Sequence, residues 1–215
     1  MNIDHATQDY YRSNNERFYT HPVVQAFSKP KYDWISNQVT ITGKKVLDVG
    51  SGNGYFAQYF GSKSDLTALD LSEHQLKNNP ATKKVIGSAY KLPFEDASFD
   101  IVFCSNLLHH LESPLIALKE MARVSRKYVI ISEPNVFNLI IILGSLFIKH
   151  ERGALKSSKR FVSNLITEAG LKIIKHTFIG GLVMPNGTPT FMLPYVNPVS
   201  RSFCSFFQIF ISEKY

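Results

Sequence analysis

The chain has 215 residues, 44% of them hydrophobic and 13% aromatic, which supplies one continuous core and leaves little length for a second domain. Its formal charge of +7 is uneven: residues 119–175 hold eleven Lys and Arg against four Asp and Glu, and the remainder holds thirteen of each. The two cysteines, Cys104 and Cys204, stand far apart and outside any CxxC or metal-ligand spacing, so a disulfide framework is excluded, no metal is expected, and both read as buried reduced thiols.

Residues 1–17 are polar and tyrosine-rich, with no basic stretch leading into an apolar one, so a cytoplasmic protein is expected rather than a secreted one. From about residue 44 strand-like and helix-like segments alternate, as in an α/β domain. The predicted strands are Lys45–Val49, Asp65–Asp70, Lys83–Ile86, Phe99–Ser105, Lys127–Ser132, Leu171–Ile179 and Phe206–Ser212. Ser113-Pro114 reads as an N-cap and first helical residue, followed by Leu115, Leu118 and Ala122 on one face. Phe161, Leu165 and Ala169 mark the apolar face of a second helix, and Gly170 stands where a left-handed cap ends it.

Three stretches fall outside the alternation: 1–42, 134–160 and the Gly- and Pro-rich 180–203, which reads as a loop and a substrate wall. Within the second, Val136–Ile148 is apolar on nearly all sides but interrupted by Asn138, Gly144 and Ser145, and too short to span a bilayer. The basic stretch from Lys149 to Arg152 follows it. That pairing suits the wall of an apolar ligand pocket, peripheral membrane contact through 136–160, a dimer contact, or a helix covered by 180–203. The final apolar run closes the sheet rather than anchoring the chain.

The strand Lys45–Val49 runs into glycines at 50, 52 and 54. Such a turn lets backbone approach a nucleotide-like ligand closely. The third glycine comes one residue too early for the dinucleotide pattern GxGxxG, which argues against NAD and FAD. Asp70 ends the second strand, where a carboxylate can accept hydrogen bonds from both hydroxyls of a ribose.

Three stretches in order, Val46-Leu-Asp-Val-Gly-Ser-Gly-Asn-Gly, Leu69-Asp-Leu-Ser and Leu92-Pro-Phe-Glu-Asp-Ala-Ser-Phe-Asp, resemble the successive motifs of class I S-adenosylmethionine-dependent methyltransferases. Ser105-Asn-Leu-Leu-His-His-Leu is most similar to the group that acts on quinones, sterols, lipids and other small molecules (the type 11 methyltransferase domain). The resemblance covers residues 44–133. It implies a Rossmann-like, seven-stranded, mostly parallel sheet with helices on both faces and the seventh strand antiparallel, the whole chain 1–215 forming one domain with 1–42 as a lid. It further implies that Asp48, Gly50, Ser51 and Gly52 face the methionine part of the cofactor, that Gly54 belongs to the same cofactor-binding turn, that Asp70 holds the ribose, and that Leu71 flanks the adenine. Ser88 stands where the family usually has an acidic residue for the adenine amino group; it carries no charge, and the Ala89 amide could meet the ring instead. Asn106 matches a position beside the methionine end, near the acceptor's entrance.

Methyl transfer from a sulfonium mainly requires alignment and exclusion of water, with a base needed for weakly acidic acceptors. His109, beside His110, is the candidate base; orienting the helix that starts near Ser113 is the alternative. Tyr10, Tyr11 and His21 belong to the lid segment, and Glu133 reads as a loop carboxylate on the substrate side. The expected activity is methylation of a small-molecule or lipid-like acceptor, leaving S-adenosylhomocysteine. A nucleic-acid methyltransferase is the first alternative, but the fourth strand lacks the Asn/Asp-Pro-Pro-aromatic motif of amino-directed enzymes and no RNA-binding module is attached. A non-catalytic cofactor-binding partner subunit is the second, motivated by Ser88.

Overall fold

The computed structural model describes residues 17–147, 149–181, 183–184, 186–196 and 199–214. In chain order the elements are α1 (Pro22–Ser36), β1 (Lys45–Val49), α2 (Ala57–Gly61), β2 (Asp65–Asp70), α3 (Glu73–Lys77), β3 (Lys83–Ile86), β4 (Phe99–Ser105), a 3-10 turn (Leu108–His110), α4 (Pro114–Val124) and β5 (Ser125–Pro134). There follow α5 (Leu139–Phe147), a second 3-10 stretch (Lys149–Lys156), α6 (Lys159–Glu168), β6 (Leu171–Ile179), a third 3-10 turn (Thr190–Met192), α7 (Leu193–Val196) and β7 (Phe207–Lys214).

The seven strands form one sheet in the order β3-β2-β1-β4-β5-β7-β6. β1 pairs in parallel with β2 and with β4, and β7 lies antiparallel between β5 and β6. Successive residues of a strand point to opposite faces, so the central strands feed two cores. Val46, Ile101, Phe103, Ile130 and Ile209 pack with Val23, Phe27 and Ile35 of α1 and Phe60 of α2. Leu47, Val102, Val129 and Phe210 pack on the other face with Leu118 and Met121 of α4 and Val162 and Ile166 of α6. Burial on both faces explains why these strands read as apolar runs rather than alternating ones.

Several local expectations need correction. β5 runs on to Pro134 because Glu133 and Pro134 still pair with Gln208 and Phe207 of β7. Ser113 occupies the N-cap of α4, but with φ −122° and ψ 65° its side chain makes no capping hydrogen bond. On α6 the buried face is Val162, Leu165 and Ile166, whereas Phe161 is 36% exposed. Gly170 does end that helix in the left-handed region, at φ +77°. Cys204 is exposed, unlike Cys104. Among the described residues no helix is long and apolar enough to cross a membrane.

Candidate functional site

A cavity of about 340 Å³ opens beyond the C-terminal ends of β1, β2 and β4, where the strand order reverses and α/β sheets bind ligands. Its polar end is built by the turn after β1. The Gly50 and Ser51 amides donate to the Leu69 carbonyl at 2.8 and 3.0 Å, which fixes the turn to β2. The Gly52 amide donates to Asp70 Oδ2 at 2.8 Å, and the Ser72 amide to Asp70 Oδ1 at 2.8 Å. Backbone amides thus hold the carboxylate in place at the edge of the cavity.

Gly52 has φ +48° and nothing within 4 Å of where a Cβ would stand. Both facts favour glycine: the conformation is costly for other residues, and bare backbone faces the cavity. Gly54, with φ +79°, plays a different part, because a Cβ there would collide with Asn79 and Pro80. It allows close packing and does not line the cavity.

Asp48 is buried under this turn, where loss of solvent, and then the charge of Asp70, raises its pKa to about 8. Burial also raises Asp70, partly offset by its backbone hydrogen bonds. A ligand bringing positive charge would lower both costs. Asn106 lines the same region with φ +54°, and its Oδ1 is buried without a hydrogen-bond partner among the described residues; so is Asn53 Oδ1. Leu71, Ser88 and Ala89 line the cavity. Ser88 Oγ accepts from the Tyr90 amide at 3.2 Å, leaving its own proton to donate.

The other end is apolar and comes from distant segments: Phe27, Phe56, Ile140, Ile141, Met184, Phe206 and Phe207. Ile140, Ile141 and Met184 belong to stretches that the sequence set apart, whereas Phe27, Phe56, Phe206 and Phe207 sit in ordinary core-like runs. Stretches 134–160 and 180–203 do wall the cavity. The second meets the N-terminal side at Asn186, whose Oδ1 accepts from the Arg17 amide at 3.1 Å and Tyr55 Oη at 3.2 Å. Tyr10 and Tyr11 lie outside the described residues. His21 caps α1 through Nδ1, which accepts from the Val23 amide at 3.2 Å, and does not line the cavity.

Glu133 corrects the expectation of a substrate-side loop carboxylate. It lies fully buried within β5, outside the cavity wall. Oε1 accepts from the Leu107 and Leu108 amides at 3.0 and 2.9 Å, and Oε2 from the His109 amide at 3.3 Å and from His109 Nδ1 at 2.6 Å. The 108–110 turn is thus hung from one carboxylate. His109 Nε2 stands 3.5 Å from Glu151 Oε2. Burial disfavours a charged ring, but the two carboxylates prevail and push the His109 pKa up to about 9. A ring protonated on both nitrogens near neutral pH cannot accept a proton, so these surroundings do not favour the general-base role expected of His109.

Residues 47–131 match the family model described as a methyltransferase domain. Over that central stretch the chain is similar to a methyltransferase domain. Demethylmenaquinone methyltransferase of Staphylococcus aureus (strain MRSA252) is 35% identical over 141 residues, covering 53% of this chain and 57% of the relative. The chain thus spans little more than half the length of that relative. Among solved structures, magnesium protoporphyrin IX methyltransferase of Synechocystis PCC 6803, with bound SAM, matches with a TM-score of 0.65 at 12% identity, covering 100% of this chain and 98% of that one. The [4+2]-cyclase SpnF matches with a TM-score of 0.62 at 14% identity over 86% of this chain and 80% of that one. The matched residues include the glycine turn and Asp70, whereas most of the apolar lining of the cavity lies outside them.

Proposed function

We propose that this chain is an S-adenosylmethionine-dependent methyltransferase acting on an apolar small-molecule or lipid-like acceptor. The observation that carries the reading is the joining, in one cavity, of a bare-backbone turn and an amide-held Asp70 with an apolar wall opposite. The residues fit the cofactor: Asp70 would take the ribose hydroxyls, and Leu71, Ser88 and Ala89 the adenine. Asp48 and the unpaired Asn106 Oδ1 would meet the positively charged methionine end. When bound, S-adenosylmethionine supplies a methyl group on a sulfonium that leaves as a neutral thioether.

The protein's own contribution is placement and shielding. Phe27, Ile140, Ile141 and Phe206 would hold an apolar acceptor and keep water out. His109, gripped by Glu133, acts as a positioning residue that presents a fixed ring edge to the acceptor end. The exposed side of α5 extends the apolar wall outward: Leu139, Leu143 and Leu146 are exposed, and exposed Arg152, Lys156, Lys159 and Arg160 follow. Such a surface suits contact with an anionic lipid layer in which a lipid-like acceptor dissolves.

Two other readings are weaker. A nucleic-acid substrate would need basic and hydrogen-bonding groups around the cavity, whereas its acceptor end is lined by Phe, Ile and Met. A non-catalytic partner role would suit a site filled by side chains, and the cavity is open; the cyclase match does show that this fold alone does not dictate methyl transfer. Isothermal titration with S-adenosylmethionine and, separately, NADH is the test. Micromolar binding of the first alone is expected. Silence for S-adenosylmethionine in a folded sample would overturn the reading. Transfer of labelled methyl to quinones, small phenols or lipid extracts then identifies the acceptor.

A further inference from the structure

We infer that His109, His110 and Glu151 form a binding site for one divalent transition-metal ion, of the zinc class, at the acceptor end of the cavity. All three residues line the cavity. One ligand atom from each lies within 4.8 Å of the other two. His109 Nε2 and Glu151 Oε2 are 3.5 Å apart, close to the separation of about 3.4 Å between two ligands that each stand about 2.1 Å from a tetrahedral zinc. The His109 and His110 ring centroids are 3.9 Å apart, which keeps the second imidazole beside the first.

The support around the ligands is that of a metal site. A metal-binding imidazole usually gives its other ring N–H to a carboxylate, which fixes the tautomer and strengthens the ligand. His109 Nδ1 does this to the buried Glu133 at 2.6 Å. The segment carrying Glu151 is pressed onto the turn carrying both histidines: a Cβ at Gly153 would collide with the His109 carbonyl oxygen. Glycine there permits backbone contact between two segments more than forty residues apart in sequence. The separation also explains why no ligand spacing was visible in the chain.

Two imidazoles and one carboxylate form a borderline donor set that suits Zn²⁺, Co²⁺ or Fe²⁺ and not Mg²⁺ or Ca²⁺, which require oxygen ligands. Three protein ligands leave a fourth position toward the cavity. An oxygen atom of the acceptor, hydroxyl or carboxyl, is the ligand it would take. That last step rests on the methyltransferase reading, whereas metal binding itself does not.

The test uses the full chain, free of any affinity tag and stripped with chelator, in a Cys204→Ser background because Cys204 is exposed. Equilibrium dialysis against Zn²⁺ with metal analysis, and titration with Co²⁺ followed by its visible absorption, read the site without any activity assay. One tightly bound ion per chain is expected, with a four-coordinate Co²⁺ spectrum. Glu151→Gln, a partly exposed and isosteric change, should weaken binding by about 10- to 100-fold, and His110→Ala at least as much. Absence of stoichiometric binding, or binding unchanged in Glu151→Gln, overturns the proposal. Titrating S-adenosylmethionine into the same samples separates the two readings: cofactor binding without metal sinks only the metal site, and metal without cofactor sinks only the proposed activity.

Discussion

At the glycine end of the cavity, residues 48–53 and 70–72 supply a cluster of polar groups, and backbone amides hold Asp70 in place. At the far end, Phe27, Ile140, Met184 and Phe206 come from four separate segments, and a turn suspended from Glu133 supplies an ordered polar feature. The first end is local and rigid because its hydrogen bonds close within one motif and its neighbouring strand. The second is assembled only when the whole sheet is complete. Recognition of a shared cofactor suits the former, and individual acceptor choice suits the latter.

The contrast can be broken most forcefully at Gly52. Gly52→Val forces a branched residue into φ +48° and places its side chain in the ligand's space, so S-adenosylmethionine affinity should fall by about 100-fold or more. Calorimetry on a sample with native circular dichroism measures it. Asp70→Ala removes a charged acceptor and leaves the Gly52 and Ser72 amides without it; a loss of about 30-fold is expected, and unchanged affinity would disprove the ribose assignment. On the acceptor side, Lys156→Glu should lower partitioning onto anionic vesicles by about fivefold at low salt. Cofactor affinity should stay as it was, and failure of the wild-type chain to sediment with vesicles at any salt would remove the membrane contact.

The smallest effect concerns stability. Asp48 is raised from 3.8 to about 8, so between those values the folded chain retains a proton that the unfolded chain has released. Its contribution to stability therefore declines as pH rises from 3.8 through 8. Asp48→Asn should raise Tm, by about 3 °C at pH 9 and less at pH 5, while weakening cofactor binding. Equal shifts at both pH values would show that Asp48 is not held protonated.

The same contrast governs how much could be read in advance. β1 to β4 and the turn after β1 were legible because buried parallel strands are apolar runs and the glycines, Asp48 and Asp70 keep fixed distances along the chain. Gly54 was assigned to the ligand because chain spacing does not reveal that Asn79 and Pro80 come to lie against it. Glu133 read as a loop residue because the extra pairing of β5 with β7 is a tertiary event. Glu151 sat unnoticed in a basic run, and Phe27 and Phe206 looked like core, which in part they are.

Glu133 also constrains how such a protein can change. Its four hydrogen bonds lie where water does not reach, so displacing the 108–110 turn would strand a charge in the interior. The turn is thereby a fixed datum, as the glycine loop is. On the proposed reading, acceptor preference would be left to 134–160 and 180–203, which line the cavity from outside that frame. New specificities in this architecture should arise by grafting those segments, and a chimera that keeps Glu133 with its turn should fold whichever segments it carries.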